Sequence, residues 1–170
     1  MKNISVQNKI IGPNQNPFLI AEISANHKND IKRVYRIINA AVKAGFDAIK
    51  VQTYTADTIT LKSSKKDFQI IDKKSIWYGQ RLYNIYNKGS MPWDWHKKLS
   101  SYCKKKGIIF FSTPFDESAV DFLEKLNVPI YKISSFEITH YPLLKKIAKT
   151  RKPIIISTGM ATKKEIKMAL

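Results

Sequence analysis

Five short runs of apolar and β-branched residues punctuate the chain: Phe18 to Ile23, Ala48 to Thr53, Ile108 to Ser112, Ile130 to Ser134 and Ile154 to Ser157. Their near-continuous hydrophobicity predicts strands buried on both faces, as in a parallel sheet. Between the runs the period changes to that of a helix. Ile31, Val34, Ile37, Ile38, Ala41 and Val42 form one apolar stripe that opens near Asp30 and stops at Gly45. A second helix is predicted from about Pro92 through Trp95, Leu99 and Tyr102 to Gly107. A third follows Asp116 with Val120, Leu123 and Leu126 inward, and a fourth follows Thr139 with Leu143, Leu144 and Ile147 inward. The order βαβαβαβαβ calls for parallel strands joined by crossover helices.

Thr162 and Glu165 form a capping-box pair that opens one more helix, and the sequence ends at Leu170. A complete (β/α)8 barrel takes about 250 residues. Five strands in 170 residues therefore predict a partial (β/α)8 TIM barrel, its first five βα units, cut in mid-element. The alternative is a complete five-stranded doubly wound sheet. That fold usually has a glycine-rich turn after its first strand, where this chain has Glu22-Ile23-Ser24-Ala25-Asn26-His27. Ahead of the first strand, Ile4 to Val6 and Lys9 to Ile11 alternate around Gln7-Asn8, which predicts a small hairpin plugging the barrel bottom. The strands end near residues 22, 52, 112, 134 and 157, so the second interval is about double the others. Its excess lies between Tyr54 and Ser90 and carries Trp77-Tyr78-Gly79 and Leu82-Tyr83-Asn84-Ile85-Tyr86. Connections of that length are uncommon unless they act as lids or binding loops.

Composition narrows the class further. With 44% hydrophobic and 25% charged residues, the chain is ordinary globular material. Its apolar runs fall far short of the roughly 20 residues of a membrane span. The N-terminus, Met1-Lys2-Asn3-Ile4-Ser5-Val6-Gln7-Asn8, has polar residues where a signal peptide would place its apolar core, so a cytoplasmic location is expected. Cys103 is the one cysteine, which leaves no internal disulfide and no zinc spacing. A net charge of +17 raises the possibility of a polyanion-binding module. Only Arg33, Arg36, Arg81 and Arg151 among the 30 basic residues carry the planar fork, however, and the lysines are scattered. A solvated lysine-rich surface accounts for them, with no nucleic-acid or membrane partner.

The chemistry gathers where the strands end. Glu22 closes the first strand; Lys50, Gln52 and Thr53 the second; Ser112 and Thr113 the third; Lys132, Ser134, Ser135 and Glu137 the fourth; Ser157, Thr158 and Gly159 the fifth. Parallel strands bring these ends to one face. Lys50 and Lys132 sit inside apolar strands and would be costly to bury without an anion. A phosphate or carboxylate between them, with Ser135, Ser157 and backbone N–H groups near Thr158-Gly159 at a helix start, is the simplest solution. Either lysine could instead serve as the imine nucleophile of a Schiff-base aldolase or lyase.

The segments AEISANH (21 to 27), AGFDAIKVQTY (44 to 54), FFSTPFD (110 to 116), YKISSFE (131 to 137) and ISTGMA (156 to 161) resemble, in order and spacing, those of the sialic acid synthase family. Within it, SSFE (134 to 137) and LYNIYNKGSMPWDWHKKL (82 to 99) are similar to the pseudaminic acid branch, while the neuraminic acid branch more often has glycine where Phe136 stands. The resemblance implies condensation of phosphoenolpyruvate with an open-chain amino sugar, diacetamido-trideoxy-altrose, giving a nonulosonic acid and phosphate. N-acetylneuraminate or legionaminate synthesis is the alternative within the family. By position, Lys50, Thr113, Lys132, Ser135 and Ser157 would hold phosphoenolpyruvate, and Glu22 would handle the proton or water at the pyruvyl carbon. Gln52 and Glu137 would face the sugar, with Phe136 a subgroup specificity element.

A divalent cation, Mn²⁺ or Mg²⁺, is implied, with its histidine ligands in a C-terminal part that this chain lacks, together with three strands and a small antifreeze-like domain. Residues 1–170 would then be the N-terminal part of a homodimeric enzyme, inactive alone. His27 lies at the right end of its strand for a ligand contact, whereas His96 and His140 read as helix-start or surface residues.

Overall fold

A computed structural model describes residues 3–170. A hairpin, β1 (Ile4–Val6) and β2 (Lys9–Ile11), precedes five parallel strands: β3 (Ile20–Glu22), β4 (Ala48–Thr53), β5 (Ile109–Pro114), β6 (Tyr131–Ile133) and β7 (Ile154–Ile156). The connections carry α1 (Ile31–Lys43), the short α2 (Ala56–Ile59), α3 (Leu82–Gly89), α4 (Trp93–Lys105), α5 (Glu117–Lys125) and α6 (Tyr141–Lys149), and α7 (Lys163–Ala169) follows β7. Strand order is β3-β4-β5-β6-β7, each strand beside its predecessor. A doubly wound sheet must reverse direction partway, and this one does not. Sequential right-handed crossovers place the helices on one side, so the sheet curls as a half-barrel with an inner face opposite the helical layer.

The expected helices form where their stripes predict, with Val34, Ile38, Leu99, Cys103, Val120, Leu123, Leu143 and Ile147 buried in one core. Their exits share one device. Gly45, Gly107, Asn127 and Arg151 follow α1, α4, α5 and α6 with φ between +52° and +78°, the left-handed turn that ends a helix. After α1 and α4 the amides of Phe46 and Ile108 reach back to the carbonyls of Ala41 and Cys103, at 3.0 and 3.1 Å, and send the chain into the next strand.

The predicted hairpin is present at the strand N-terminal end. Val6 is buried in the core, and Lys9 pairs with Asp47 at 2.7 Å while Asp47 also accepts from the Leu19 amide at 2.8 Å. The Lys9 contact and the amide together hold the Asp47 carboxyl below its usual range.

Three expectations need correction. The first and fifth strands are not buried on both faces: β3 and β7 form the sheet's two edges, and their residues are half-buried or exposed because each has a neighbour on one side only. The long second connection is largely built structure, with α2, a tight turn at Lys66–Phe68, a bridge between Gln69 and Arg81, and α3. His96 is no surface residue; it is fully buried on α4.

His96 heads a closed polar chain within the core. Its Nδ1 donates to the Pro92 carbonyl at 3.3 Å, and its Nε2 accepts from the Thr53 hydroxyl at 2.9 Å. The Ser112 hydroxyl shares its hydrogen between Thr53 Oγ1 at 2.6 Å and the Val51 carbonyl at 3.1 Å. Burial pushes the His96 pKa down to about 4. An unfolded chain takes up a proton on this ring below about pH 6.5, and the folded chain does not until about pH 4. Stability present above pH 6.5 is therefore lost progressively across that window, by about 3 kcal/mol in full. Urea unfolding should show this extra acid sensitivity in the native sequence and a shallower pH slope in His96→Gln. Identical slopes would overturn the assignment.

Candidate active site

Strand alternation sorts the predicted residues. In a parallel pair, partners in register project to the same face. Glu22 pairs with Lys50, Lys50 with Phe111, and Gln52 with Thr113. Ser112, one residue out of phase with Thr113, pairs with Tyr131, so Thr113 and Lys132 share the opposite face. The Tyr131 hydroxyl donates to Glu124 of α5 at 2.7 Å, which marks its own face as the helical side. Glu22, Lys50, Gln52, Thr113 and Lys132 thus form one row on the inner face, near the strand C-terminal ends. Thr53 and Ser112, grouped with them in the sequence, point the other way into the His96 chain.

Charge in the row is unevenly matched. Lys50 forms an ion pair with Glu22. Lys132 makes no ion pair among the described residues. Burial, reinforced by the nearby Lys50 charge, holds its ammonium below the usual lysine range, although Glu137 and Glu22 pull the other way. Beside it, the Thr113 Oγ1 is buried with no hydrogen-bond partner, one of two such atoms among the described residues. The other is Asp116 Oδ1, at the N-cap of α5 just beyond the same strand. Buried hydroxyls are nearly always paired, so a lone one beside an unneutralised cation marks a place built for another group.

The turn after β6 supplies the next residues. Ser134 caps a 3₁₀ turn at Ser135–Glu137; its hydroxyl donates to Glu137 and accepts from the Phe136 amide at 3.4 Å. This clamps Glu137 near Lys132. Ser135 and Phe136 also border a cavity of about 170 Å³ with Ile138, Thr139, Met160 and Glu165. Phe136 is not drawn into the lysine row: it is 74% exposed. Ser157 follows β7, half-buried, with its amide bonded to the Ile133 carbonyl at 3.0 Å. Thr158-Gly159 does not begin a helix as expected. The helix starts at Lys163 behind the predicted Thr162–Glu165 capping box, in which the Thr162 hydroxyl accepts from the Glu165 amide and the Glu165 carboxylate accepts from the Thr162 amide.

His27 is fully buried, and both ring nitrogens are used: Nε2 donates to the Gly89 carbonyl at 3.0 Å, and Nδ1 accepts from the Asn29 amide at 3.1 Å. It ties the first βα turn to α3 and has no free nitrogen for a ligand. His140 precedes α6, half-buried. Among the described residues no three His, Cys, Asp or Glu side chains converge to hold a metal ion.

One residue, Ser24, and the role of another, Ser134, escaped the sequence reading. Ser24 holds Glu22 through its backbone N–H and hydroxyl, both at 2.9 Å, and no local pattern announces it. From the sequence Ser134 is named only as a strand-end residue, although Ser134-x-x-Glu137 has the capping-box spacing that signals its clamp on Glu137.

The NeuB family model matches residues 37–170. The chain belongs to the NeuB family. Pseudaminic acid synthase of Campylobacter jejuni is 44% identical over 149 residues, 88% of this chain and 43% of that protein. N,N'-diacetyllegionaminic acid synthase of the same organism is 40% identical over 153 residues, 89% of this chain and 45% of that protein. Among solved structures, the N-acetylneuraminic acid synthetase of Leptospira borgpetersenii, in complex with citrate, superposes with a TM-score of 0.84 at 30% identity, covering 99% of this chain and 53% of that one. The chain thus spans about half the length of the NeuB relatives it matches. No helix among the described residues is long and apolar enough to cross a membrane.

If Thr113 Oγ1 is held partnerless for a ligand, removing it relieves an unmet desolvation cost. Thr113→Val should raise stability by about 1 kcal/mol, read as an increased thermal midpoint. A lower midpoint would show that the hydroxyl serves the fold.

Proposed function

We propose that this chain is the N-terminal half-barrel of an enzyme that condenses phosphoenolpyruvate with an open-chain diacetamido-trideoxy sugar to give pseudaminic acid and phosphate. The observation that carries this reading is the unneutralised, partly desolvated Lys132 beside the buried, partnerless Thr113 hydroxyl, on the face where Lys50 meets Glu22. A dianionic phosphate with an adjacent carboxylate suits two lysines and three hydroxyls better than a neutral ligand does. Lys50, Lys132, Thr113, Ser135 and Ser157 hold phosphoenolpyruvate in this scheme. Its enol carbon attacks the sugar aldehyde, water adds at the pyruvyl carbon, and phosphate leaves. Glu22 takes or gives the proton of that water. Gln52, in register with Thr113, and Glu137, clamped by Ser134, orient the sugar.

Family membership and the 44% identity to a pseudaminic acid synthase support this reading over other uses of the same cradle. The 40% identity to a legionaminic acid synthase keeps the isomeric sugar close. Phe136 favours the deoxygenated substrate: an exposed aromatic ring near the 64%-exposed Met160 offers an apolar edge to a sugar methyl group. The remaining strands, a small antifreeze-like domain, the metal ligands and a homodimer partner belong to the longer cytoplasmic protein in this proposal.

A second reading has its own observation. The lowered proton affinity of Lys132 is what a Schiff-base lysine requires, whereas Lys50 is engaged by Glu22. Borohydride reduction in the presence of pyruvate should leave Lys132 unmodified by mass spectrometry, and a trapped adduct there would favour an aldolase. Titration calorimetry with phosphoenolpyruvate is the direct test. Lys132→Ala removes a charge-assisted contact worth roughly 1.5 to 3 kcal/mol, so binding should weaken about ten- to a hundredfold. Unchanged binding would make the lysine structural and misplace the phosphate.

A further inference from the structure

Glu22 is anchored at both carboxylate oxygens. Oε1 accepts from the Ser24 amide and the Ser24 hydroxyl, each at 2.9 Å, and Oε2 pairs with the Lys50 ammonium. Ser24 adopts φ +45°, a left-handed conformation that serine seldom takes and that carries a backbone cost. That turn brings its amide and hydroxyl back onto residue 22. One anchor is therefore uncharged and built into the chain, and the other is a cation that the row also offers to a ligand.

The other charged groups near this pair are Lys132 and Glu137. An anion seated between Lys50 and Lys132 meets Glu22 already occupying one of its two cations. Two negative groups on one cation repel strongly in a partly buried site, so they cannot share Lys50 without cost.

Resting on the cradle reading above, we propose that Glu22 is a built-in competitor for Lys50: an arriving phosphate or carboxylate takes over the ammonium and frees Oε2, while Ser24 keeps the carboxylate in place. The device couples binding to chemistry. Glu22 offers a free oxygen as a base only after the anionic substrate has seated. By reciprocity, the anion gives up part of its affinity to displace Glu22.

The probe is inorganic phosphate, titrated into the 170-residue chain and its variants by NMR. Glu22→Gln should bind phosphate about tenfold more tightly than the native chain, and Glu22→Ala, which removes the charge by another route, should show the same gain. In the native chain the Glu22 carboxyl carbon resonance should move along the binding isotherm. Weaker binding by Lys132→Ala with no gain in either Glu22 variant, or a stationary Glu22 resonance, overturns the competition while leaving the cradle standing. Phosphate binding that ignores Lys132→Ala, or no binding by any of the proteins, overturns the cradle and the competition with it.

Discussion

Two ammonium groups on one face of a parallel sheet need two carboxylate contacts to be neutralised; the described residues of this half-barrel's inner face make one, and the face is organised around that shortfall. Lys50 has Glu22, and Lys132 has no such partner among the described residues. An unpaired, half-buried cation is expensive, and a fold that needed only stability would place an apolar residue at position 132, as at its register partner Ile155. The neighbours are consistent with the anion proposed above: the Thr113 hydroxyl is buried unpaired, and Ser134 fixes Glu137 close enough to moderate Lys132 without forming an ion pair with it.

The strands can carry this polar row because their other face is closed. At the C-terminal ends of β4 and β5 that closure is itself polar: Thr53, Ser112 and His96 satisfy one another and the backbone, leaving no donor or acceptor of the chain to compete with the inner face. Tyr131 performs the same service on β6 through Glu124, which Lys152 of the following strand's approach also holds, at 2.6 Å. Alternate residues of single strands therefore have opposite duties. Lys50 and Gln52 serve the open face, while Val51 and Thr53 pin the strand to α4 and its neighbour.

Much of this was legible in the sequence, and the failures have physical causes. Helix exits were readable at Gly45 and Gly107, whose lack of a side chain suits the left-handed turn, and at Asn127, which tolerates it, but Arg151 takes the same turn without advertising it. The inner-face residues followed from strand ends alone. Parity was readable too: counting by twos from Lys50 and Gln52 excludes Thr53, and the grouping of Thr53 and Ser112 with the site ignored that count. His96 falls on the buried stripe with Leu99 and Cys103, yet a histidine near a helix start also suits the surface, and only the Thr53 contact decides. Ser24 could not be found, because its role depends on a backbone conformation that residue type disfavours. The exposure of β3 and β7 likewise depends on which neighbour a strand lacks, not on its own residues.

Size alone points to the end opposite the proposed site. The larger cavity, about 560 Å³, lies at the strand N-terminal end, where the hairpin turn at Gln7-Asn8 faces Lys104, Gly107 and the Asn127-Val128-Pro129 connection. None of its lining residues carries a buried atom lacking a partner; both such atoms, Thr113 Oγ1 and Asp116 Oδ1, lie at the opposite end. A cavity left by imperfect packing of a hairpin against helices costs contacts but leaves no polar group unpaired. A site that receives an anion must hold donors out of internal hydrogen bonds, and in this chain the unpaired Thr113 hydroxyl, a donor, stands where the parallel strands end, whereas Asp116 Oδ1 can only accept.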